Sequence, residues 1–320
     1  MLVDSGEQAV GEGVDPSWVG KAVVINPALD WGHDQAAPGA RFRILGMPDA
    51  GTFAEEIVVP AINLARKPPH LSFEEAAALP LAGLTAHRAT RRGRLRPGES
   101  LLLPGIGSGV QTMALMLARH LGVRVAVTSS SPQKLERALA LGAAHGKNHA
   151  EADWDKRLVK DFGAVDLVID GAGGETFARC LNAVRPGGRL VTYGATAGPS
   201  SLELTKVFWK QVDLLGTTMG SPEDFRELCA LCEAGQLRPA VDEVIPLAEV
   251  DRAAGPGDAH PGPGRGVAVA ALRFIERHCL GPLTLHAVAA AVGRSPAHVT
   301  TALTQATGRS AVQWIVSGRM

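Results

Sequence analysis

The chain has 320 residues, 46% hydrophobic and 20% charged, so it is long enough for two folded domains and unlike a disordered chain. Lys plus Arg and Asp plus Glu are equal at 32 each, which excludes a strong overall attraction to nucleic acid or anionic membranes. Four cysteines without regular spacing, no leader-like segment and no apolar run long enough to span a bilayer lead us to expect a cytoplasmic protein.

The first 97 residues predict a small β-rich unit with one helical stretch. Val- and Ile-rich runs separated by Gly and Pro predict strands at residues 22–25 and 53–59. A helix should begin after Ser72, because serine caps helices well and Glu74 and Glu75 follow in the first turn. Pro80 should interrupt that helix, since proline breaks helix interiors.

Between Pro97 and Glu249, short apolar runs alternate with amphipathic stretches. This alternation is typical of βαβ units that build a parallel sheet. The sequence therefore predicts strands at residues 100–103, 123–127, 165–169 and 189–192, and helices at residues 110–121, 132–141 and 175–184.

A Gly- and Pro-rich stretch, AAGPGDAHPGPGRG, predicts a linker over residues 253–266. Beyond it, residues 266–320 contain five Arg and one acidic residue, Glu276, so this part is basic. We therefore divide the chain into residues 1–97, 98–252, 253–266 and 267–320.

A glycine-rich turn follows the strand SLLL. Gly105, Gly107 and Gly109 in PGIGSGV lead directly into a predicted helix. Glycines let the backbone approach a diphosphate closely, and the free amides at a helix N-terminus stabilise its charge. With a strand before it and a second strand at the expected distance, the turn predicts dinucleotide binding; the alternative is an ordinary strand-to-helix turn.

The end of the second strand predicts which dinucleotide is bound. An Asp or Glu there would bind a ribose 2′-hydroxyl, but this sequence has Ser129, Ser130 and Ser131, followed by Lys134. Hydroxyls and a cation suit a 2′-phosphate, so NADP(H) is predicted to be preferred over NAD(H). The alternative for Lys134 is a solvated helix residue.

Several strings together resemble one enzyme family: GTFAEEIVVP, AAALPLAGLTAHRA, LRPGESLLLPGIGSGV, TSSSPQKLERALALGAAH, VIDGAGG, RPGGRLVTYGATAG and LLGTTMGS. Over residues 8–250 the sequence resembles the medium-chain dehydrogenase/reductase superfamily, on its zinc-free, quinone-oxidoreductase side. The resemblance implies an α/β fold: a Rossmann doubly wound parallel sheet, an incomplete GroES-like β substrate domain and a small helical tail. It also implies hydride transfer to or from a small carbonyl, enone or quinone.

The resemblance further implies contacts along the whole cofactor. The diphosphate would be bound by Gly105, Ile106, Gly107, Ser108, Gly109 and Val110, and the adenosine ribose phosphate by Ser129, Ser130 and Lys134. The remaining length would contact Thr85, Gly171, Ala172, Gly194, Ala195, Thr196, Met219 and Gly220. Gln111 departs from the family, which usually has a small residue there. No catalytic acid is identified, because Tyr193 at a strand end suits packing better than proton transfer.

Zinc is not expected. Leu81 stands where the zinc-containing members of the superfamily carry their third ligand, and leucine cannot coordinate a metal. The family's Gly-His-Glu would lie before Met1, and residues 26–47 contain no cysteine. Cys229 and Cys232 form an isolated CxxC within a predicted helix, which favours half-buried helix cysteines over a metal site.

Two parts of the sequence, the first residues and residues 213–218, concern association with a partner chain. The family's opening strands are not found in the sequence, so exposed sheet edges and apolar surface, or completion by a partner chain, are expected. By analogy with the family, DLLGTT at residues 213–218 could form a homodimer.

The tail resembles the first helix-turn-helix of AraC-type regulators. Helices are predicted at residues 270–278, 285–292 and 296–306, with Gly293 at the turn. Candidate DNA contacts are His298, Thr300, Thr301, Thr304 and Gln305. The recognition helix lacks Arg and Lys, so DNA binding should be weak. A DNA-binding regulator and an inactive nucleotide-binding fusion remain the alternative functions.

Overall fold

A computed structural model describes residues 2–3, 10–47, 51–54, 56–246, 284–292, 294–296 and 299–300. The chain divides into two compact units, Met1–Val244 and Ile245–Met320. The predicted boundary near residue 97, between a β-rich part and a parallel-sheet part, stays a prediction.

A six-stranded parallel sheet forms the centre of the first unit. Its strands are β6 (Ser100–Pro104), β7 (Arg124–Ser129), β8 (His145–Asn148), β9 (Val165–Asp170), β10 (Val184–Thr192) and β11 (Asp213–Gly216). The spatial order is β11-β10-β9-β6-β7-β8. The four predicted strands are confirmed, and the order is that of a Rossmann fold. Continuous apolar runs form β6, β7 and β9 because helices cover both faces of the sheet.

Helices connect consecutive strands and cover the sheet. They are α3 (Gly109–His120), α4 (Pro132–Ala140), α5 (Trp154–Phe162), α6 (Gly174–Ala183), α7 (Leu204–Lys210) and α8 (Pro222–Ala234). The three helices predicted at residues 110–121, 132–141 and 175–184 are confirmed. Ser108, Ser131 and Ser221 cap α3, α4 and α8, each side-chain oxygen accepting a hydrogen bond from an amide three residues on.

The sheet opens between β6 and β9, where the strand order reverses. These two strands pair only at Leu101–Leu167 and Leu102–Val168. Beyond these two pairs, β6 continues beside β7 as far as the Pro104–Thr128 pair. The strand β9 continues beside β10 as far as the Asp170–Thr192 pair. The carboxyl ends of β6 and β9 therefore form a crevice at the position where doubly wound sheets bind ligands.

The front of the first unit contains small antiparallel sheets. The strands β1 (Leu2–Val3), β2 (Val23–Ile25) and β5 (Leu64–Arg66) form one sheet, and β3 (Ala28–Leu29) pairs with β4 (Arg43–Ile44). The short helix α1 (Phe73–Ala77) is fixed by a capping box between Ser72 and Glu75. A second helix, α2 (Pro80–Arg92), begins at the predicted interruption.

The strand predicted at residues 53–59 is wrong. Residues 53, 54 and 56–59 form no strand. Phe53 is 76% exposed and Val58 is 99% exposed, so no described sheet covers their side chains. A Val- and Ile-rich run forms a strand only where a neighbouring strand pairs with it and a core covers its side chains.

In the second unit, the structure describes the helix α9 (Leu285–Ala291), capped by Thr284. It covers most of the helix predicted at residues 285–292, and residues 296, 299 and 300 are also helical. The predicted helix at residues 270–278 and Gly293, His298, Thr301, Thr304 and Gln305 lie outside the described residues. Among the helices described in either unit, none has the length and apolar character of a membrane-spanning segment.

Candidate functional site

The glycine-rich turn lies at the carboxyl end of β6, in the crevice. Gly105 and Gly107 have φ values of 72° and 105°, which side chains with a Cβ rarely adopt. The Ile106 amide donates to the Thr128 carbonyl oxygen at 2.8 Å, which fixes the turn to β7. The sequence thus uses glycine where the turn requires left-handed backbone.

The first turn of α3 presents amides at the crevice. Ser108 accepts a hydrogen bond from the Gln111 amide through its Oγ at 3.4 Å. The amides of Gly109 and Val110 lie in the first helical turn and have no acceptor within the helix. Such amides, together with the helix dipole, favour a phosphate.

The side-chain stem of Lys134 lies against Gly107 of the glycine-rich turn. A methyl group at Gly107 would approach the Lys134 Cδ to 2.6 Å, so glycine leaves room for the lysine stem. No carboxylate of the described residues pairs with the Lys134 ammonium group. Ile106, Gly107 and Gly109 of the turn border, with Lys134, a cavity of about 690 Å³. This cavity is large enough to hold a substantial part of a ligand.

Arg137 is a site residue that the sequence interpretation missed. It lines the same cavity, one helical turn after Lys134, and lies 3.5 Å from Asp242 in an exposed ion pair. The spacing of Lys and Arg in SPQKLER was the available signal, because residues three apart share a helix face.

The three serines after β7 differ in environment. Ser129 is 5% exposed, and its Oγ accepts from the Ser131 amide at 3.2 Å. Ser131 caps α4 by accepting from the Lys134 amide at 3.3 Å. Ser130 is exposed. The loop therefore offers hydroxyl groups and no carboxylate.

The ends of β9 and β10 come together beside the turn. The Thr196 amide donates to the Gly171 carbonyl oxygen at 3.4 Å, and the Ala197 amide donates to that of Ala172 at 2.7 Å. A methyl group at Gly194 would lie 3.0 Å from the Gly171 oxygen, so these backbones are in close contact. The structure thus brings together the predicted contacts Gly171 and Ala172 with Gly194, Ala195 and Thr196.

Asp170 shapes the loop at the end of β9. It is fully buried, and its carboxylate accepts hydrogen bonds from the amides of Ala172 at 3.1 Å and Gly173 at 3.0 Å. Burial raises the pKa of Asp170, although the two amides act in the opposite direction. The carboxylate therefore fixes backbone that is predicted to contact the cofactor.

A third group contains Thr85, Met219 and Gly220. The Thr85 hydroxyl donates to the Leu81 carbonyl oxygen at 3.0 Å and lies 3.8 Å from the Met219 Sδ. Met219 has a φ of 41°, a left-handed conformation unusual for a residue other than glycine. Such strain often occurs at functional sites. A methyl group at Gly220 would overlap Leu84, so this position also requires glycine.

Gln111 is directed toward the sheet. Its side chain is 1% exposed, and its Nε2 donates to the Ile169 carbonyl oxygen at 2.9 Å. Ile169 follows Val168, the last residue of β9 that pairs with β6. The Gln111 side chain therefore donates a hydrogen bond to a β9 carbonyl group that has no partner on β6. The larger residue at this family position thus fills the gap between strands.

One group of possible metal ligands occurs among the described residues. Ligand atoms of His87, Asp224 and Glu227 lie within 4.8 Å of one another. Two guanidinium groups already pair with them: Arg88 with Asp224, and Arg91 with Asp224 at 2.8 Å and Glu227 at 2.6 Å. Because these cations neutralise the carboxylates, the group suits an ion-pair network better than a metal ion.

The CxxC cysteines are both buried in α8, more completely than expected. Burial raises the pKa of Cys229 to about 12 and that of Cys232 to about 11. The Cys232 thiol lies 3.1 Å from the Leu237 carbonyl oxygen. Buried neutral thiols of this kind are unreactive and are poor metal ligands.

Comparison with known proteins agrees with this geometry. Residues 109–234 match the family described as zinc-binding dehydrogenase. The zinc-type alcohol dehydrogenase-like protein YogA of Leptosphaeria maculans is 35% identical, with 71% of this chain and 67% of that protein covered. A quinone oxidoreductase of Pseudomonas aeruginosa is 31% identical, with 63% and 66% covered.

Solved structures give the same result. A crystal structure of an NAD-dependent alcohol dehydrogenase has a TM-score of 0.71 and 38% identity, covering 77% of this chain and 74% of that one. The 2-octenoyl-CoA carboxylase reductase CinF, in complex with NADP and 2-octenoyl-CoA, has a TM-score of 0.68 and 28% identity, covering 73% and 59%.

The fold, the glycine-rich turn and these relatives define an NAD(P)-dependent oxidoreductase. The chain spans about two thirds of the length of the two relatives, 67% and 66%. It belongs to the medium-chain dehydrogenase/reductase superfamily.

Proposed function

We propose that the protein uses NADP(H) in preference to NAD(H) to transfer hydride to or from a small carbonyl, enone or quinone, without zinc. A quinone oxidoreductase and a 2-octenoyl-CoA carboxylase reductase in complex with NADP, both among the similar proteins, support this substrate range. The observation that carries the cofactor preference is Lys134, which lies across Gly107 beside a loop of serines.

The chain's own groups support the proposed cofactor preference. The Lys134 ammonium group has no carboxylate partner in the described part of the chain, so it is available to a 2′-phosphate. Ser129 and Ser130 add hydroxyl donors. An Asp or Glu in their place would instead bind a 2′-hydroxyl and repel the phosphate.

Each part of the site has one task in this proposal. The amides of Gly109 and Val110 would bind the diphosphate, and the backbone of Gly171 and Ala172 would contact the remaining length of the cofactor. Thr85 and the neighbouring Met219 would contact the cofactor further along its length. A bound nicotinamide supplies or accepts the hydride.

Zinc does not fit the residues present. Leu81, which occupies the family's ligand position, has an apolar side chain that is 45% exposed. A zinc ion there would lack a ligand, since structural and catalytic zinc require nitrogen, sulfur or oxygen donors. We expect purified protein to contain less than a tenth of an equivalent of zinc by mass spectrometry; one equivalent would overturn this part.

Cofactor binding is tested by measuring the Kd of NADPH and NADH by nucleotide fluorescence. We expect tighter NADPH binding, and Lys134→Ala should weaken NADPH binding about tenfold or more while leaving NADH nearly unchanged. Lys160→Ala, which removes an exposed lysine on α5, is the matched control. Tighter NADH binding, or equal losses for both nucleotides, would contradict the preference.

Turnover is tested separately. NADPH oxidation is followed by the absorbance of the reduced nicotinamide with a panel of quinones, enones and aldehydes, with and without a zinc chelator. We expect turnover that the chelator leaves unchanged. Tight NADPH binding without turnover of any panel member would favour the inactive nucleotide-binding alternative.

We also propose a homodimer formed through β11. This strand is at one edge of the six-stranded sheet, and the preceding helix α7 exposes Leu204, Phe208 and Trp209. An unpaired edge beside exposed apolar side chains favours association. No observation on the described residues favours DNA binding.

A further inference from the structure

Tyr193 is the only tyrosine of the chain, and it follows directly after β10. Its amide donates to the Asp170 carbonyl oxygen at 3.0 Å, which fixes its backbone beside the end of β9. A methyl group at Gly171 would overlap the Cζ and Oη atoms of the Tyr193 ring. The hydroxyl end of the ring therefore lies directly over Gly171, and Gly171 must be glycine to receive it.

The phenol reaches from the end of β9 toward the glycine-rich turn. Burial raises the pKa of Tyr193, while the neighbouring side chains of Ser108 and Gln111 act to lower it. Because the net pKa lies above its ordinary value near 10, the phenol keeps its proton at neutral pH. The group is therefore a hydrogen-bond donor.

The Gln111 side chain lies beside this phenol. Its Nε2 is committed to the Ile169 carbonyl oxygen, and its Oε1 has no hydrogen-bond partner among the described groups. A buried unpartnered oxygen is costly unless something else satisfies it. Through its Nε2, the Gln111 side chain joins α3 to the end of β9.

Tyr193 lies between two groups of predicted cofactor contacts. Ser108 belongs to the turn for the diphosphate, whereas Gly171 belongs to the backbone predicted to contact the next part of the cofactor. A dinucleotide that uses both must pass the point where the phenol lies. No other tyrosine exists to replace it.

We propose that Tyr193 is a positioning residue of the cofactor site, whose ring supports the dinucleotide between the glycine-rich turn and Gly171 and whose hydroxyl donates a hydrogen bond to it. The inference rests on the proposed function, since it requires a bound nicotinamide dinucleotide. It adds a side chain to a stretch of the site that is otherwise backbone.

The single tyrosine permits a direct test. Protein labelled with 3-fluorotyrosine should give one ¹⁹F resonance, which we expect to shift on titration with NADP⁺ with the same Kd as an independent calorimetric titration. An unchanged resonance at saturating NADP⁺ would overturn the inference and leave the proposed function intact. If calorimetry detects no binding of NADP⁺ or NADPH, the proposed function fails, and this inference fails with it.

A variant separates positioning from packing. Tyr193→Phe retains the ring over Gly171 and removes only the hydroxyl, so we expect about five- to tenfold weaker NADPH binding, typical of one lost hydrogen bond. Thr205→Val, which removes an exposed hydroxyl on α7, should leave the Kd unchanged. A lower Tm for Tyr193→Phe with an unaltered Kd would indicate packing alone and overturn the proposal.

Discussion

Arg88 joins three parts of the first unit through one guanidinium group. Its Nη1 pairs with the buried Asp224 of α8, and its Nη2 donates to the carbonyl oxygens of Gln35 at 2.8 Å and Ala36 at 2.9 Å. The guanidinium carbon lies 4.6 Å from the Trp31 ring centroid. Arg88 is 5% exposed, so these contacts are shielded from water.

Arg88→Met should lower the free energy of unfolding by about 3 to 5 kcal/mol, because it leaves a buried carboxylate with one fewer cation. Urea denaturation measures the change. Arg157→Met, which removes an exposed pair with Glu151, should cost less than about 1 kcal/mol. Equal losses in the two variants would show that Arg88 stabilises no more than a surface ion pair does.

The same network predicts a pH dependence. Burial alone would raise the pKa of Asp224, but hydrogen bonds from Ser221 and Arg88 lower it below its ordinary value. A carboxyl whose pKa is lower in the folded state stabilises the fold above its unfolded pKa, and this contribution is lost as the pH falls through the folded pKa. In Arg88→Met the acid-unfolding midpoint, followed by circular dichroism, should move to higher pH.

Sequence patterns predicted the glycine-rich turn and Lys134, because both follow from local order: a strand, a turn, a helix. They did not predict Arg137 in the same cavity or the bond from Gln111 to Ile169. The spacing of Lys134 and Arg137 indicates that the two share a helix face. The cavity and the Gln111 bond depend on where side chains from separate elements meet, and spacing along one helix or strand does not contain that information.

At the scale of elements, a lysine of α7 caps the C-terminal end of α6. Lys210 at the end of α7 donates from Nζ to the carbonyl oxygens of Leu181 at 2.8 Å, Asn182 at 3.0 Å and Val184 at 2.8 Å. Helix C-termini leave carbonyl groups without partners, and a cation there is favourable. One side chain thus satisfies three acceptors.

Lys210→Met should lower the free energy of unfolding by about 1.5 to 3 kcal/mol, since the stem is retained and the charged hydrogen bonds are lost. Thermal unfolding provides the measurement. Lys206→Met, on the same helix and paired with Glu203, should have a smaller effect. If the two variants melt together, the capping role of Lys210 is refuted.

Elements were predictable where burial imposes an apolar pattern. The strands β6, β7 and β9 are buried apolar runs, and all three were predicted. The strand β8, with the sequence HGKN, was missed because an edge strand needs no continuous apolar run. The strand expected at residues 53–59 is not formed, although the run is apolar; Phe53 and Val58 are exposed, and Ile57 and Val59 are partly buried.

At the scale of the whole molecule, two groups of exposed apolar side chains among the described residues bear on association. One set belongs to the front of the first unit: Met47, Phe53, Val58 and Ile62. The other set lies on α7 beside the edge strand β11. Both patches are candidate surfaces for association, and only the second adjoins an open edge of the large sheet.

The proposed dimer gives a prediction that distinguishes the two patches. Light scattering after size-exclusion chromatography should show a dimer for the unaltered protein and a monomer for Phe208→Lys with Trp209→Lys. Ile62→Lys, which changes the other patch, should remain dimeric. A monomer at every concentration of the unaltered protein would refute the proposal, and so would dissociation by Ile62→Lys alone.

The ends of α2 and α8 share an unusual arrangement of glycine. Gly93 and Gly235 have ordinary helical backbone, and a methyl group there would approach Leu167 to 2.6 Å and His120 to 2.7 Å, respectively. The next residues, Arg94 and Gln236, take the left-handed conformation with φ of 50°. Glycine is thus retained for close packing, while the backbone strain falls on its neighbour.

A second glycine would therefore relieve the strain without disturbing the packing. Gln236→Gly should raise the free energy of unfolding by about 0.5 to 1 kcal/mol. The ends of α2 and α8 are therefore two positions where the fold can be made more stable. Substitutions there would raise thermal stability without changing the nucleotide crevice.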